Sequence, residues 1–365
     1  MKKAALYNPY LDTLGGGEKH VLSILKVLQE EGFEISIFWD KHLQSQIEDR
    51  FSLQFNQKLK FLPNIFNPQE ARVTGNFIKK LMILSEFDIF FYVTDGSYFL
   101  SSAKKNFVFC MVPYNKLYRM TLLNKLKTSN FRFITNSRFT QSWMKKWDIN
   151  SEIIYPYLNQ EFIDLNIQNL NKGNTILSIG RFYSHLHSKK QSILINLFKK
   201  LKQQNKLFKH FKLILAGGLK IEDKIYLNKL KSQVTNSKDI KFKINVPYRE
   251  LINLYKKSLI YIHTAGYGVD ENKNPHRVEH LGIAPLEAMA SGCITFCYNA
   301  GGPKEIIQDG KTGFLFGSQS ELNKKLFKVL SNLSLQNEIK SAAKKFVKDK
   351  YGYEVFRKRV KEIIL

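Results

Sequence analysis

Short apolar strand patterns alternate with helical patterns along the chain, and the whole series occurs twice. In the first half, a strand pattern over Lys3 to Tyr7 leads into a glycine-rich loop, a helical pattern and a second strand, Glu34 to Trp39. In the second half, a strand pattern over Thr175 to Ile179 is followed by a helix from about Gln191 and a strand over Lys212 to Ala216. Strands separated by helices pair in parallel, and helices cover both faces of the sheet. The sequence therefore predicts an α/β protein with two Rossmann-like, doubly wound domains.

A polar run at residues 159–174 separates the two series and predicts a linker. The chain has 365 residues, enough for two domains with separate hydrophobic cores. We expect an N-terminal domain over 1–157 and a C-terminal domain over 158–349. Residues 350–365 are expected to pack back on the first domain, and they include a basic amphipathic helix over Phe356 to Leu365. Because ligands of such domains bind at the carboxyl ends of the strands, the expected site is a cleft between the domains.

Cysteine content and hydropathy bear on the cell compartment. The three cysteines, Cys110, Cys293 and Cys297, are too few to staple a chain of this length, which favours a reducing, cytoplasmic environment. No segment reaches the roughly eighteen uncharged apolar residues that a membrane span needs. Met1 to Lys3 is basic but leads into no continuous apolar run, so no secretory leader is expected. Cys293 and Cys297 share one face of a predicted strand and are expected to be buried apolar residues.

The chain is strongly basic, with 57 Lys and Arg against 31 Asp and Glu, a formal charge of +26. Two interpretations remain open. A composition rich in Lys, Asn and Ile can result from genome base composition alone, and a basic surface also attracts phosphorylated ligands or an acidic membrane. Nucleic acid is not an expected partner, because the chain has no zinc-finger spacing, no RNP-type motif and no basic heptads. We expect a cytoplasmic protein in peripheral contact with anionic lipid at the inner membrane face, through its basic surface and its C-terminal helix.

The most informative motif places two glutamates with seven residues between them. Residues 279–292 read EHLGIAPLEAMASG. Pro285 is tolerated only in the first turn of a helix, so a helix is predicted to start there and Glu279 to lie in the loop before it. Glu287 is then expected in the first turn, beside backbone N–H groups suited to phosphate. The alternative, that Glu287 is only a helix-start acid favoured by the helix dipole, remains open.

Cations and a second pair of glycines surround this motif in the predicted fold. Gly180-Arg181 follows the first strand of the second domain, and Lys189-Lys190 comes after a short loop. These side chains are expected where a diphosphate would lie. Gly301-Gly302 follows a strand over Cys293 to Tyr298 and predicts a backbone nest for anions.

These motifs, in this order, resemble family 4 of the retaining glycosyltransferases, which use nucleotide sugars and have the GT-B fold. The resemblance covers nearly the whole chain and extends to bacterial enzymes of polysaccharide and lipid-linked glycan synthesis. Gly15 to Glu18 is also similar to the glycine-rich loop of the mannosyltransferases that extend dolichol-linked oligosaccharides. The resemblance implies two Rossmann-like domains facing across a cleft, the first for the acceptor and the second for the nucleotide-sugar donor.

The resemblance also implies roles for individual residues. Arg181 and Lys189 would hold the donor diphosphate, with Lys190 as the alternative to Lys189. Glu279 would face the transferred sugar near the reacting carbon, and Glu287 would accept hydrogen bonds from the ribose hydroxyls. The remaining donor contacts would come from backbone at two glycine-containing loops: Gly16, Gly17, Gly282, Ile283 and Ala284.

One stretch departs from the family pattern. Many relatives have a histidine that contacts the donor sugar a few residues before a proline in the first domain, whereas Phe109 to Pro113 contains none. This departure leaves the donor sugar open. His276 and Arg277 could contact an anion or belong to a solvated loop, and Asp95 could contact the acceptor or form a plain turn.

Neither NAD nor a metal ion is expected. The loop at Gly15 lacks the Gly-x-Gly-x-x-Gly spacing, since His20 stands at the third position. His20, His263 and His280 have no partner at metal-ligand spacing, and the chain contains no Asp-x-Asp motif. Arg181, Lys189 and a helix N-terminus would supply the positive charge for a leaving diphosphate. The nucleotide sugar is then a substrate, and no cofactor is expected.

The motifs together favour a retaining, metal-independent hexosyltransferase. It would move a mannose- or glucose-type hexose from a nucleoside diphosphate sugar to a glycan or lipid-linked acceptor, in cell-surface polysaccharide or glycolipid synthesis. Two alternatives remain open: a GT-B nucleotide-sugar epimerase that needs no acceptor, and a non-catalytic basic protein that binds glycans or polyanions.

Overall fold

Two compact units make up the chain in the computed structural model. Unit 1 comprises Met1–Tyr157 together with Glu354–Leu365, and unit 2 comprises Leu158–Tyr353. The structure describes residues 1–66, 75–185, 188–235 and 237–365.

A parallel sheet of seven described strands forms the centre of unit 1. These strands are β1 (Lys3–Tyr7), β2 (Glu34–Phe38), β3 (Lys60–Leu62), β4 (Ile89–Val93), β5 (Lys105–Cys110), β6 (Phe131–Thr135) and β7 (Ser151–Ile153). Their order is β3-β2-β1-β4-β5-β6-β7. The chain runs outward from β1 to β3, then returns to β4 on the other side of β1 and continues to β7. The reversal places the topological switch point between β1 and β4, where ligands of doubly wound sheets bind.

Helices connect most of these strands, and the continuous apolar strand β4 lies at the centre of the sheet. The helices are α1 (Gly16–Glu30), α2 (Gln44–Phe51), α3 (Gly75–Ser85), α4 (Leu122–Lys127) and α5 (Arg138–Lys146). Every residue of β4 is buried, as expected for a strand covered on both faces. Aromatic rings fill much of the core: Tyr7 stacks on Phe66 with ring centroids 4.1 Å apart, and Phe66 stacks on Phe90 at 5.8 Å.

Unit 2 repeats this architecture with six described strands. They are β8 (Gly173–Ile179), β9 (Lys212–Gly217), β10 (Ile240–Ile244), β11 (Ser258–His263), β12 (Ile294–Tyr298) and β13 (Phe314–Phe316). The sheet is parallel, in the order β10-β9-β8-β11-β12-β13. Its switch point therefore lies between β8 and β11.

Helices of unit 2 alternate with the strands and cover this sheet. They are α6 (Gln160–Ile163), α7 (Gln191–Gln204), α8 (Lys224–Ser232), α9 (Tyr248–Lys257), α10 (Ile283–Ala290), α11 (Pro303–Ile306), α12 (Gln319–Leu330) and α13 (Leu333–Tyr351), and the chain ends with α14 (Tyr353–Ile364). The predicted linker at 159–174 is wrong. It contains α6 and the start of β8, and Phe162 and Ile163 of α6 are buried. The polar residues around these two made the segment resemble a loop, although it contains a short helix that packs in unit 2.

The C-terminal segment differs from its prediction in two ways. The switch back to unit 1 occurs at Glu354 instead of residue 350, because α13 continues to Tyr351. The apolar face of α14, with Phe356 and Val360 on it, is buried within unit 1. Phe356 lies beside Tyr157, with ring centroids 5.1 Å apart. Because this face is packed, α14 does not offer it to a membrane.

The packing of α14 predicts a large loss of stability in Phe356→Ala. Removing a ring that is 3% exposed should cost about 3–5 kcal/mol through lost burial and the cavity left behind. Urea unfolding of the full chain measures this cost. Val355→Ala, on the exposed side of the same helix, is the matched control and should change stability by about 0.5 kcal/mol or less. Equal stabilities of the two variants would contradict the packing of α14.

Candidate functional site

The switch point of unit 2 brings together residues from three separate parts of the chain. Lys189 lies in the loop after β8, His263 is the last residue of β11, and Glu279 lies in the loop before α10. Thr264 Oγ donates to the Lys189 carbonyl oxygen at 2.7 Å and fixes the loop after β8 against the end of β11. The carboxyl ends of β8 and β11 therefore border one cluster of charged side chains.

Glu279 is the centre of this cluster. Lys189 Nζ donates to Glu279 Oε2 at 2.5 Å, and His263 Nε2 lies 2.7 Å from the same oxygen. The side chains of Lys189 and Glu279 are only 15% and 12% exposed. A carboxylate held this way has a fixed orientation, which suits a group that positions a ligand.

His263 is neutral in this environment. Complete burial lowers its pKa, although the Glu279 carboxylate opposes that shift. Because a carboxylate only accepts hydrogen bonds, the hydrogen of the neutral ring belongs on Nε2, facing Glu279. The Nδ1 atom then faces the Tyr261 hydroxyl at 3.4 Å. His263 thus acts as a hydrogen-bond donor to Glu279 without adding a charge.

The Gly301-Gly302 pair packs against the loop that carries Glu279 and hydrogen-bonds to it. The Gly302 amide donates to the Glu279 carbonyl oxygen at 2.8 Å, and the Gly301 amide donates to Glu271 Oε2 at 2.6 Å. A Cβ atom on Gly302 would overlap the Cα of Leu281, so only glycine allows this approach. The prediction that these glycines form an anion nest is wrong, because both amides already have acceptors within unit 2.

Helix α10 starts at Ile283, two residues before Pro285, where the helix was predicted to start. Gly282 is its N-cap, with a left-handed φ of 109°, and Ile283 and Ala284 are its first two residues. Pro285 is third, still within the first turn, as predicted. The backbone of Gly282, Ile283 and Ala284 is therefore the N-terminus of α10, directly after the loop that carries Glu279.

Glu287 lies in the second turn of α10 and not in the first. The prediction that Glu287 lies in the first turn is therefore wrong, and so is the alternative that it is only a helix-start acid. The Tyr255 hydroxyl of α9 donates to Glu287 Oε2 at 2.7 Å and to the Ala284 carbonyl oxygen at 3.2 Å. Burial raises the pKa of Tyr255 well above its ordinary value, with the Glu287 charge adding to the effect, so the hydroxyl remains a donor. Tyr255 fixes the orientation of Glu287.

Arg181 follows β8 but contacts a different acid from Lys189. Its guanidinium lies 3.8 Å from Asp223 Oδ2 and 4.9 Å from the centre of the Tyr183 ring. Burial raises the pKa of Tyr183, and the charge of Glu279 raises it further. The Arg181 side chain is 45% exposed, so this cation remains accessible to an anionic ligand.

The two adjacent lysines have different environments. Lys189 is the one that meets Glu279, whereas Lys190 is the N-cap of α7 with a left-handed φ of 53°. The Lys190 amide donates to the Ser188 hydroxyl at 3.3 Å. The structure thus places Lys189 in the cluster and Lys190 at the start of a helix.

The glycine-rich loop of unit 1 follows β1 at the other switch point. Gly16 and Gly17 are the first two residues of α1, and Glu18 Oε2 accepts the Gly15 amide at 2.8 Å. A Cβ atom on Gly17 would overlap the sulfur of Met111. Met111 belongs to the stretch that lacks the family histidine. A thioether therefore lies against the glycine loop at this point.

The remaining candidate residues lie in turns or in the hydrophobic core. Asp95 accepts the Ser97 amide at 2.9 Å and the Tyr92 hydroxyl at 2.7 Å, as in a turn. His276 and Arg277 form a short turn in the loop before Glu279. All three cysteines are buried, which confirms the prediction made for Cys293 and Cys297. Among the described residues, no cluster of three or more His, Cys, Asp or Glu side chains could hold a metal ion, and no helix is long and apolar enough to cross a membrane.

Sequence comparison assigns the chain to a known family. The family described as glycosyl transferases group 1 matches residues 160–346. The chain belongs to this family. The match confirms the predicted resemblance, and the clusters around Glu279 and Glu287 lie inside the matched range. Gly16 and Gly17 lie outside it.

Several curated relatives of this group 1 chain are mannosyltransferases. It is 29% identical over 214 residues to the GDP-Man:Man(3)GlcNAc(2)-PP-Dol alpha-1,2-mannosyltransferase of Mus musculus, covering 54% of this chain and 41% of that one. The enzyme of the same name from Dictyostelium discoideum is 25% identical over 282 residues, covering 73% and 53%. The chain thus spans only about two fifths of the length of the mouse relative.

Solved structures show the fold of this group 1 chain. A glycosyltransferase from Rickettsia africae has a TM-score of 0.75 at 17% identity, covering 99% of this chain and 97% of that one. HepE from Anabaena, in complex with UDP, has a TM-score of 0.73 at 16% identity, covering 99% of each chain. Together with the parallel sheets of seven and six described strands, these likenesses show the GT-B fold, in which both units are Rossmann-like. The predicted fold class is confirmed.

Sequence reasoning missed two side chains that position the candidate site. From the sequence, His263 was treated only as a possible metal ligand. A polar residue at the end of a strand beside the switch point is itself an indication of a ligand site. Tyr255 had no such signal, because it lies in the middle of an amphipathic helix, 32 residues before its partner Glu287.

The buried histidines of this group 1 chain predict that stability falls below about pH 6.5. Burial lowers the pKa of His280 to about 4 and that of His20 to about 3, and it also lowers that of His263. Below about pH 6.5 the unfolded chain binds protons that the folded chain does not, so each histidine costs up to about 1.4 kcal/mol per pH unit as the pH falls. Urea unfolding between about pH 7.5 and 5 measures this loss.

Single variants check the origin of this pH dependence. His280→Gln should lessen the fall in stability, because one proton fewer is taken up on unfolding. His210→Gln, at an exposed histidine, should leave the fall unchanged. A parental chain equally stable at both ends of the range would contradict the account.

Proposed function

We propose that this protein is a retaining hexosyltransferase. It transfers a mannose- or glucose-type hexose from a nucleoside diphosphate sugar to a glycan or lipid-linked acceptor, in the synthesis of cell-surface polysaccharide or glycolipid. The observation that carries the proposal is the Glu279 carboxylate, bound by Lys189 and His263 at the switch point of unit 2, within the range that the family matches. A carboxylate of fixed orientation can accept hydrogen bonds from sugar hydroxyls, and the cations Lys189 and Arg181 can balance a diphosphate.

Mannose carried by GDP is the donor we favour. The curated relatives from mouse and Dictyostelium are named for transfer from GDP-Man to a dolichol-linked acceptor. The alignments cover 54% and 73% of this chain, respectively. A lipid-linked acceptor also agrees with our expectation of a cytoplasmic protein at the periphery of an anionic membrane.

The proposed reaction needs no nucleophile from the protein. The acceptor hydroxyl oxygen bonds to the anomeric carbon from the face that the diphosphate leaves, so the configuration is retained. The bond from that carbon to the phosphate oxygen breaks, its electron pair goes to the diphosphate, and the phosphate takes the acceptor proton. Glu279 is a poor nucleophile here, because Lys189 and His263 both donate hydrogen bonds to its Oε2 and stabilise the carboxylate.

The protein contributes position and positive charge. We propose that Arg181 and Lys189 bind the diphosphate and stabilise its charge as the bond breaks, with backbone of Gly16, Gly17, Gly282, Ile283 and Ala284 and the side chain of Lys190 as further donor contacts. Glu287 would accept hydrogen bonds from the ribose in the orientation that Tyr255 sets. Because fixed cations fill the role that a divalent ion would otherwise take, we propose that transfer needs neither a metal nor another cofactor.

Nucleotide binding by the full chain tests this proposal. GDP and GDP-mannose should raise the temperature of thermal unfolding, because a ligand that binds only the native state stabilises it, and EDTA should not change the shift. UDP, ADP, CMP and their sugar conjugates are the comparison set. A shift with UDP compounds alone would transfer the assignment to that donor class. Absence of any shift would overturn the proposal and favour the polyanion-binding alternative.

Two substitutions sharpen the binding test. Glu287→Ala should weaken nucleotide binding by about 1–3 kcal/mol, the range for lost hydrogen bonds to a charged group. Tyr255→Phe should weaken it less, because the carboxylate remains but loses the hydroxyl that orients it. Tyr118→Phe removes an equally buried hydroxyl from unit 1 and should have no effect on affinity. Calorimetry that gives Glu287→Ala the parental affinity would remove Glu287 from the donor site.

Arg181→Ala should lower turnover about 10² to 10³ fold, the loss seen when one preorganised electrostatic group is removed. The measurement is release of nucleoside diphosphate from the donor that the binding panel selects, with a lipid extract as the source of acceptor. Arg50→Ala, at an exposed arginine of α2, is the control and should retain parental turnover. Product analysis without acceptor separates the epimerase alternative, since only an epimerase would then form an isomeric sugar nucleotide. Parental turnover in Arg181→Ala would exclude it from the mechanism.

A further inference from the structure

Unit 1 contains a long basic stretch without acidic residues. Residues 96–147 contain ten Lys and Arg and no Asp or Glu. The stretch includes β5, α4, β6 and α5, and it starts directly after the turn at Asp95. Lys104 and Arg132 form ion pairs with Asp88 and Glu152 outside the stretch. The remaining cations, among them those next to α4, attract anions.

Helix α4 lies in this stretch and exposes three leucines. The side chains of Leu122, Leu123 and Leu126 are 83%, 60% and 68% exposed. At about 100° per residue they point within one arc of about 100°. Large apolar side chains that share one exposed face indicate an interaction surface more strongly than the same residues scattered singly.

Lysines border both sides of this apolar arc. On the same helical geometry, Lys125 lies about 60° to one side of Leu122 and Lys127 about 40° beyond Leu123 on the other. Lys116 and Arg119 are exposed in the turn before the helix. Leucine in the centre with lysine at the edges is the pattern of a helix that lies in the interface of a membrane.

The helix is held in this conformation by its own caps. The Thr121 hydroxyl accepts the Asn124 amide at 3.2 Å, and the Asn124 side chain donates to the Arg119 carbonyl oxygen at 2.7 Å. The leucines therefore point outward from a formed helix, so docking needs no ordering of the segment.

We propose that the exposed face of α4 docks on an anionic lipid surface, with Leu122, Leu123 and Leu126 entering the headgroup boundary and the surrounding cations meeting lipid phosphates. Charge complementarity favours a lipid over a protein occupant, since a continuous anionic plane can meet all the cations that border the leucines: Lys116, Arg119, Lys125 and Lys127. The proposed docking face belongs to unit 1. It differs from the predicted membrane contact, the C-terminal helix α14, because the apolar face of α14 is packed. The inference deepens the proposed function by naming the surface through which the enzyme reaches a lipid-linked acceptor.

Vesicle sedimentation with the full chain tests the docking. The parental protein should bind vesicles of phosphatidylglycerol and phosphatidylcholine in equal parts, should bind pure phosphatidylcholine much less, and should lose binding as salt is raised. Leu122→Gln with Leu126→Gln should weaken binding about tenfold or more, because two leucines lose their apolar insertion. Both side chains are exposed, so thermal unfolding of the double variant should match the parent.

The matched control changes two equally exposed apolar residues with the same spacing in unit 2. Ile221 and Ile225 are 80% and 81% exposed, and Ile221→Gln with Ile225→Gln should bind vesicles as the parent does. Equal losses in both double variants would show a general hydrophobic effect and overturn the proposal. Parental binding by the α4 variant would also overturn it, as would a parent that binds no vesicles.

A fluorescent label reports insertion directly. All three native cysteines are buried, so Leu123→Cys introduces an accessible thiol for a polarity-sensitive dye. Its emission should shift to the blue when the anionic vesicles are added and stay unchanged with pure phosphatidylcholine. An unchanged emission with anionic vesicles would contradict insertion of α4. Vesicle binding requires no nucleotide-sugar donor, so docking and nucleotide binding can fail independently. Vesicle sedimentation reports the first failure, and the thermal unfolding panel reports the second.

Discussion

The ion pair between Lys189 and Glu279 holds together the part of unit 2 on which the candidate site depends. Lys189 belongs to the half of the sheet that begins with β8, and Glu279 lies in the loop after β11, so the pair bridges the switch point. Removing one partner of a buried pair leaves an uncompensated charge and typically costs about 3–5 kcal/mol. His263 and Gly302 make their contacts with the same residue, Glu279. A change at any of these positions therefore moves the carboxylate and the start of α10 together.

Both units use glycine close to the switch point for the same physical reason. In unit 1, Gly17 allows Met111 to lie against the start of α1. In unit 2, Gly302 allows the backbone of Leu281 to approach the loop after β12. In each case the missing Cβ gives space to a neighbour and not to a ligand. Glycine-rich loops of this kind shape the site by close packing, and they can do so whether or not their amides bind an anion.

Local patterns in the sequence were enough to predict most of the fold. The alternation of apolar and helical segments predicted β1 and β2 of the first sheet, β8, β9 and β12 of the second, and the start of α7 at Gln191. These signals lie within a few residues of the elements they specify. Edge strands such as β3 and β13 have three residues each and carry too little pattern to be seen. Helix α6 was missed because two buried residues in a polar run resemble a loop.

The site could be predicted only in part, because its decisive contacts join distant residues. Lys189 and Glu279 are 90 residues apart in the chain. The spacing of the two glutamates indicated which carboxylates were important. The first residue of α10 depended on the N-cap Gly282, and that start places Glu287 in the second turn. The occupied amides of Gly301 and Gly302 depended on Glu271, 30 residues upstream of Gly301. Tertiary packing, and not local sequence, decides such contacts.

The division of unit 1 into two stretches of the chain has a consequence for its synthesis. Domains tend to fold as units while the chain leaves the ribosome, the N-terminal one first. Unit 1 departs from that order, because α14 is made only after all of unit 2. Until then the hydrophobic surface that receives Phe356 stays uncovered, so unit 2 can complete its core before unit 1 does. The nascent N-terminal half is then the part of this protein that depends most on protection from aggregation before its last helix arrives.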